Sequence, residues 1–185
     1  SLSLSLAGSA VALLLGAAGA RAADPVVIGA ALPLTGPMSL SGQNIKDGID
    51  IAVDAINKNG GIKSLGGAPL KVIYADTTAD PSTGANVVAR MISRENPVAI
   101  QGAYGSSITL AATEVSERQR IPFLTMSFSD QIVGRGYDYV FQVVATATAM
   151  GKAQLEHTVE MAKAAGEELK TISIVFEDTA FVRDV

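Results

Sequence analysis

The sequence predicts an α/β fold built on a parallel sheet. From Val26 onward, short apolar runs alternate with longer stretches of helical periodicity, the signature of repeated βα units. The first run, Val26 to Leu32, is apolar throughout, as a strand covered on both faces must be. Turns rich in Gly and Ser then separate run from helix, as after Gln101 and after Thr125.

Taken in order, Val26 to Leu32 is the expected first strand and Pro33 to Gly42 a loop. In the next helix Ile45, Ile49, Ala52, Val53 and Ile56 recur at helical spacing, with Asp47, Asp50 and Asp54 opposite and Asn59-Gly60-Gly61 as the stop. Aspartates three and four apart on the polar side of an amphipathic helix read as a solvated face, not a metal site. Leu70 to Ala75 is the second strand. Asp80-Pro81 opens the second helix as N-cap and first helical residue, with Ala85, Val88, Ala89, Met91 and Ile92 as its buried stripe. Val98 to Gln101 is the third strand, and the helix after it aligns Ile108, Ala111, Ala112 and Val115. Ile121 to Thr125 is the fourth strand. After the turn Met126 to Asp130, Tyr139 to Gln142 is an extended piece leading away. Thr146 to Gly166 is helical, with Leu155, Val159 and Ala162 aligned, and Thr171 to Phe176 reads as a further strand.

Composition bounds the function. The chain has 185 residues and 19.0 kDa, enough for one compact domain and too few for two of ordinary size. A net charge of -4 with no basic block gives nucleic acid no electrostatic footprint. Cysteine is absent and histidine occurs once, so disulfides, thiolate metal sites, Cys nucleophiles and most His chemistry are excluded. Residues 1–22 differ in kind: 14 are apolar, Arg21 is the one charge, and Ala20-Arg21-Ala22 has the small-x-small pattern of a signal-peptidase site. Cleavage after Ala22 of a signal peptide, of which 1–22 is a part, is the expectation.

In an open parallel sheet the binding crevice lies beyond the carboxyl ends of the strands. Pro33 to Gly42, Gly102 to Ser107, Met126 to Asp130 and Glu177 to Phe181 are the segments that would reach it. Ser106 at a helix start either caps that helix or offers its hydroxyl beside free amides to an anion, and both readings fit the spacing. Ser127 and Ser129 are open in the same way. Enzyme readings fail on context. Tyr104-Gly105-Ser106-Ser107-Ile108 is not a nucleophile elbow, Gln43-Asn44 stands where a phosphate loop needs Lys and Ser/Thr, and Gly134-Arg135-Gly136 lacks a third glycine and a preceding strand. His157 lies mid-helix away from Leu155, as an exposed residue would. No catalytic residue, cofactor or metal is expected.

Several pieces in their order resemble the solute-binding proteins of ABC transporters for branched-chain amino acids, with the type I periplasmic binding protein fold. They are Gly29 to Gly42, Ile56 to Ile62, the Asp80-Pro81 helix start, Gly102 to Ser107, Ile121-Pro122 with Ser129, and Tyr139-Val140-Phe141. The resemblance implies two parallel-sheet lobes that trap ligand between them, residues 23–143 being most of the first and 144–185 the truncated start of the second. It implies that Ser106, Ser127 and Ser129 contact the ligand's carboxylate or amino group, that Phe181 closes over it, that Ser41 falls at a lid position and that Tyr104 flanks the site. Val182 stands where the family usually has Gly. The expected product is a monomeric periplasmic protein that hands a small polar solute, an amino acid or related carboxylate or amide, to membrane permease subunits. The alternative is a ligand-sensing receptor or regulator of the same fold.

Overall fold

The computed structural model describes residues 23–173, 175 and 177–184. Strands β1 (Val26–Leu32), β2 (Leu70–Asp76), β3 (Ala99–Gly102), β4 (Phe123–Thr125) and β5 (Val140–Gln142) form one sheet in the order β2-β1-β3-β4-β5. Every neighbouring pair is parallel. The helices are α1 (Ser39–Lys58), α2 (Pro81–Glu95), α3 (Ser106–Gln119), the single turn α4 (Gln131–Gly134) and α5 (Ala147–Ala164).

Alternation along β1 shows why its run had to be apolar. Ala30 and Leu32 pack with Ile49 of α1, flanked by Ile45, Val53, Val72 and Tyr74, whereas Ala31 joins Ile100, Phe123, Val87, Val88, Met91 and Ala112 under α2 and α3. The sheet is therefore covered by α1 on one face and by α2 and α3 on the other.

Local signals explain most boundaries. The Asp80 carboxylate accepts the Thr83 amide at 2.7 Å and Pro81 occupies the first helical position, so α2 starts where its cap and proline require. Asn57, near the end of α1, pins the helix to β2: its Nδ2 donates to the Leu70 carbonyl at 2.9 Å and its Oδ1 accepts the Leu70 amide at 2.8 Å. The chain then turns through Gly61 at φ +69°, where a Cβ would stand 2.5 Å from the Gly67 carbonyl oxygen. Only glycine fits there.

Five expectations are corrected. Helix α1 begins at Ser39, inside the expected loop, because Gly42 lets its first turn press on the preceding chain; a Cβ on Gly42 would lie 2.0 Å from the Pro33 carbonyl oxygen. On α1 Ala52 and Ile56 are exposed, since the helix meets the sheet only through Ile45, Ile49 and Val53. On α2 Ala89 is exposed and Val87 buried, the stripe being turned by the close packing of Gly84 on Ile108 of α3. Tyr139 to Gln142 does not lead away: Val140–Gln142 pairs with β4 as the fifth strand. Of the strand expected over Thr171–Phe176, residues 171–173 and 175 form no strand, pairing with none of the five strands among the described residues, and Ile174 and Phe176 lie outside those residues.

Candidate functional site

Strand order fixes where a crevice opens. The chain leaves β1 for β2 on one side and returns to β3 on the other, so the connections after β1 and β3 diverge at the carboxyl ends of those strands. A cleft lies at that point, lined by Leu32, Ile45, Gln101, Gly102, Tyr104 and Met126. Its walls are largely apolar, and polar groups converge beside it.

The β1 side is held by Asp76. Its carboxylate accepts the amides of Leu34 (2.9 Å), Thr35 (3.2 Å) and Thr78 (2.8 Å) and the Thr35 hydroxyl. Burial pushes its pKa up, but the hydrogen bonds from Thr35, Thr78 and Leu34 outweigh that and hold the carboxyl below its ordinary value. This residue, unmarked in the sequence reading, ties the loop after β1 to the end of β2.

The β3 side carries Ser106. It is the first residue of α3, while Gly105 is the N-cap and no side chain caps the helix, so the capping reading of Ser106 is set aside. By helix geometry the first-turn amides have no intrahelical partner. Ser106 is 6% exposed, and its Oγ accepts the Ser129 amide at 3.4 Å across the crevice corner. Ser129 is buried, and its hydroxyl accepts the Gln131 amide at 3.3 Å. The fold thus brings together the two serines that stand 23 residues apart.

Ser127 is placed beneath them. Its Oγ donates to the Tyr104 carbonyl at 2.7 Å, lies 2.6 Å from Thr109 Oγ1 and accepts from Thr125 Oγ1 at 3.1 Å. Thr109 Oγ1 in turn accepts the Ala103 amide at 3.1 Å, and Gln142 Nε2 donates to the Ser127 carbonyl at 2.9 Å. These contacts hold Tyr104 in the left-handed region at φ 72°, an arrangement that costs an ordinary residue about 1 kcal/mol. Along α3 the buried polar residues Ser106, Thr109, Thr113 and Ser116 form a hydroxyl stripe beside the apolar one. Thr109 and Thr125 were missed in the sequence; the spacing of hydroxyls at 106, 109, 113 and 116 was the signal available.

The remaining candidates are placed less uniformly. Tyr104 lines the cleft and is partly open to solvent. Ser41 is half-buried on α1, one turn before the lining residue Ile45. The Phe181 ring packs on Phe128, in the loop that carries Ser127 and Ser129, with ring centroids 5.5 Å apart. His157 is exposed, beside Glu160 at 3.5 Å. Asp50 and Asp54 are engaged by Lys46 and Lys58, and Asp50 also accepts the Tyr74 hydroxyl at 2.6 Å. Among the described residues no group of His, Asp and Glu is placed to hold a metal ion, and no helix is long and apolar enough to cross a membrane.

Comparison with known proteins agrees with this architecture. The "Leu/Ile/Val-binding protein homolog 8" of Brucella abortus (strain 2308) is 31% identical over 160 residues, covering 84% of this chain and 39% of the relative. The leucine binding protein LivK of Thermotoga maritima superposes with a TM-score of 0.64 at 28% identity, over 76% of this chain and 38% of that one. A solute binding protein of an ABC transporter from R. palustris, in complex with 4-hydroxybenzoate, superposes with a TM-score of 0.62 at 23% identity, over 77% of this chain and 37% of that one. This chain therefore spans about two-fifths of the length of the curated relative. The family described as periplasmic binding protein matches residues 25–185, and the chain belongs to that family, with the parallel-sheet fold of its type I members.

Proposed function

We propose that this chain captures the carboxylate end of a small solute, a branched-chain amino acid or a related compound, for delivery to the permease of an ABC importer. The observation that carries the reading is the Ser129 amide standing 3.4 Å from Ser106 Oγ at the start of α3, beside the cleft at the sheet's switch point. There an anion meets the positive end of a helix dipole, unpaired first-turn amides and hydroxyls that can turn their protons toward it. The apolar side chains Leu32, Ile45 and Met126 border this end of the sheet, on the side where the aliphatic remainder of such a ligand would lie. Residues 23–143 are then the first lobe of a monomeric binding protein and 144–185 the beginning of a second, with Phe181 closing over the ligand and Tyr104 and Ser41 at its edge. Ser127 supports the site from below. The protein is a carrier without a catalytic step, and it works in the periplasm.

The test is titration of the full-length protein with L-leucine and with its methyl ester. Hydrogen bonds to a charged group contribute about 1.5 to 3 kcal/mol, so Ser106→Ala or Ser129→Ala weakens leucine binding roughly 10-fold to 150-fold. Because Gly105, not Ser106, occupies the N-cap, any fall in the unliganded melting temperature of Ser106→Ala reflects the lost acceptor of the Ser129 amide and not a lost cap. An ester that binds as tightly as the free acid removes the anion site. Residues 1–22 lie outside the described residues; expression of the complete gene in a Gram-negative host should give a periplasmic product beginning at Ala23, and a membrane-retained product with an intact N-terminus contradicts export by cleavage.

A further inference from the structure

The segment that carries Ser129 is tied to α3 a second time, further along, by Arg135. This guanidinium donates through Nη1 to the Leu110 carbonyl at 3.0 Å and through Nη2 to Thr113 Oγ1 at 2.5 Å. Its other face lies over the Tyr137 ring at 4.3 Å, and Glu114 stands 3.8 Å from Nη1. The two acceptors lie on α3, one and two turns beyond Ser106. Between Ser129 and Arg135 the chain makes only the turn α4, whose Ile132 is fully buried. Glu117 extends the same seam by accepting the amides of Asp138 at 3.1 Å and Tyr139 at 2.9 Å.

The route from Arg135 to the crevice is continuous. Thr113 Oγ1, which receives Arg135, donates to the Thr109 carbonyl at 2.6 Å, and Thr109 Oγ1 meets Ser127 at 2.6 Å, two residues before Ser129. A planar fork bonded to a carbonyl and a hydroxyl of one helix fixes both distance and orientation, which a single ammonium does not. The Nε–H of Arg135 is buried with no hydrogen-bond partner among the described residues, a cost that lysine or an apolar residue would not carry.

We infer that Arg135 is a positioning residue for the ligand site: by bridging α3 at Leu110 and Thr113 it sets where Ser129 stands against Ser106, and so sets affinity for an anionic ligand group that it never touches. The inference rests on the proposed ligand role of the two serines.

Two readouts test it. The first needs no ligand: amide hydrogen exchange of Ser129 in the full-length protein and in Arg135→Lys and Thr113→Val. Positioning by Arg135 raises the Ser129 exchange rate about tenfold in both variants, beyond any rise at amides of β1. A rate that is unchanged, or that rises equally throughout the sheet, overturns the inference. The second is leucine affinity in a double-mutant cycle. Arg135→Lys weakens binding about tenfold on its own and adds little to Ser106→Ala, whereas losses that multiply in full overturn the link to the site. If Ser106→Ala leaves leucine binding intact, the ligand role of the serines has failed and the affinity part of the inference falls with it, while the exchange result still decides whether Arg135 fixes Ser129.

Discussion

Asp76 shows how one carboxylate at a strand end can hold two loops at the carboxyl edge of a sheet. It gathers amides from Leu34, Thr35 and Thr78, two from the loop after β1 and one from the loop after its own strand. Its folded pKa lies below the unfolded value, so the ionised group contributes stability that is fully present above the unfolded pKa of about 3.9 and is lost as pH falls through the lower folded value. Asp76→Ala should cost about 1 to 3 kcal/mol in urea unfolding at pH 7 and flatten the acid limb of the stability curve. An acid limb identical to wild type would show that the loops are held by something else. Residue by residue, the placement of Ser106 and Ser129 at one end of the sheet was legible because loops after parallel strands have a known destination. It did not show what Asp76 or Thr109 bind, since those partners lie across the fold: the Asp76 bond to Leu34 spans 42 positions and the Thr109 bond to Ser127 spans 18.

Elements were readable wherever a boundary is written in local chemistry. The run Val26 to Leu32 and the pair Asp80-Pro81 mark β1 and the start of α2 by apolar continuity and capping, and both are found there. The start of α1 was hidden because Ser39 to Gly42 has the composition of a turn, while the reason for Gly42 is a neighbouring carbonyl that no local pattern records. The buried face of α2 was misjudged by one residue for a similar reason, its rotation being set by contact with α3. Asn57 offers a test at this scale, because it replaces a neighbouring strand's hydrogen bonds at the first residue of β2. Asn57→Ala leaves a half-buried amide and carbonyl of Leu70 without those partners and should cost about 1 to 3 kcal/mol. Asn44→Ala, on an exposed position of the same helix, should change stability by less than about 0.5 kcal/mol. Equal effects in the two variants, measured by thermal unfolding, would deny Asn57 its pinning role.

At the scale of the whole molecule, the sheet's two faces are finished unequally. Leu124 and Phe141 are register partners on β4 and β5, and with 39% and 49% of their surface exposed they continue, beyond the cover of α1, the face on which Ala30 is buried. Val143 lies exposed just past them. Adjacent apolar side chains left open on a sheet bind hydrophobic probes and promote association. Residues 23–185 prepared alone should therefore bind an anilinonaphthalene dye and self-associate in sedimentation, and Leu124→Thr with Phe141→Thr should reduce both. A fragment that ignores the dye and sediments as a monomer would mean this face is not adhesive. The opposite side is finished in another manner. The hydroxyls of α3 at 106, 109 and 113 each meet a particular partner, Ser129, Ser127 and Arg135. A greasy seam tolerates slippage so long as volume is conserved, but rotating α3 by one residue, about 100°, would take all three hydroxyls away from their partners at once. The helix is indexed, like a part seated on pins, to the segment that carries Ser127, Ser129 and Arg135, and the three pairs together set its rotation.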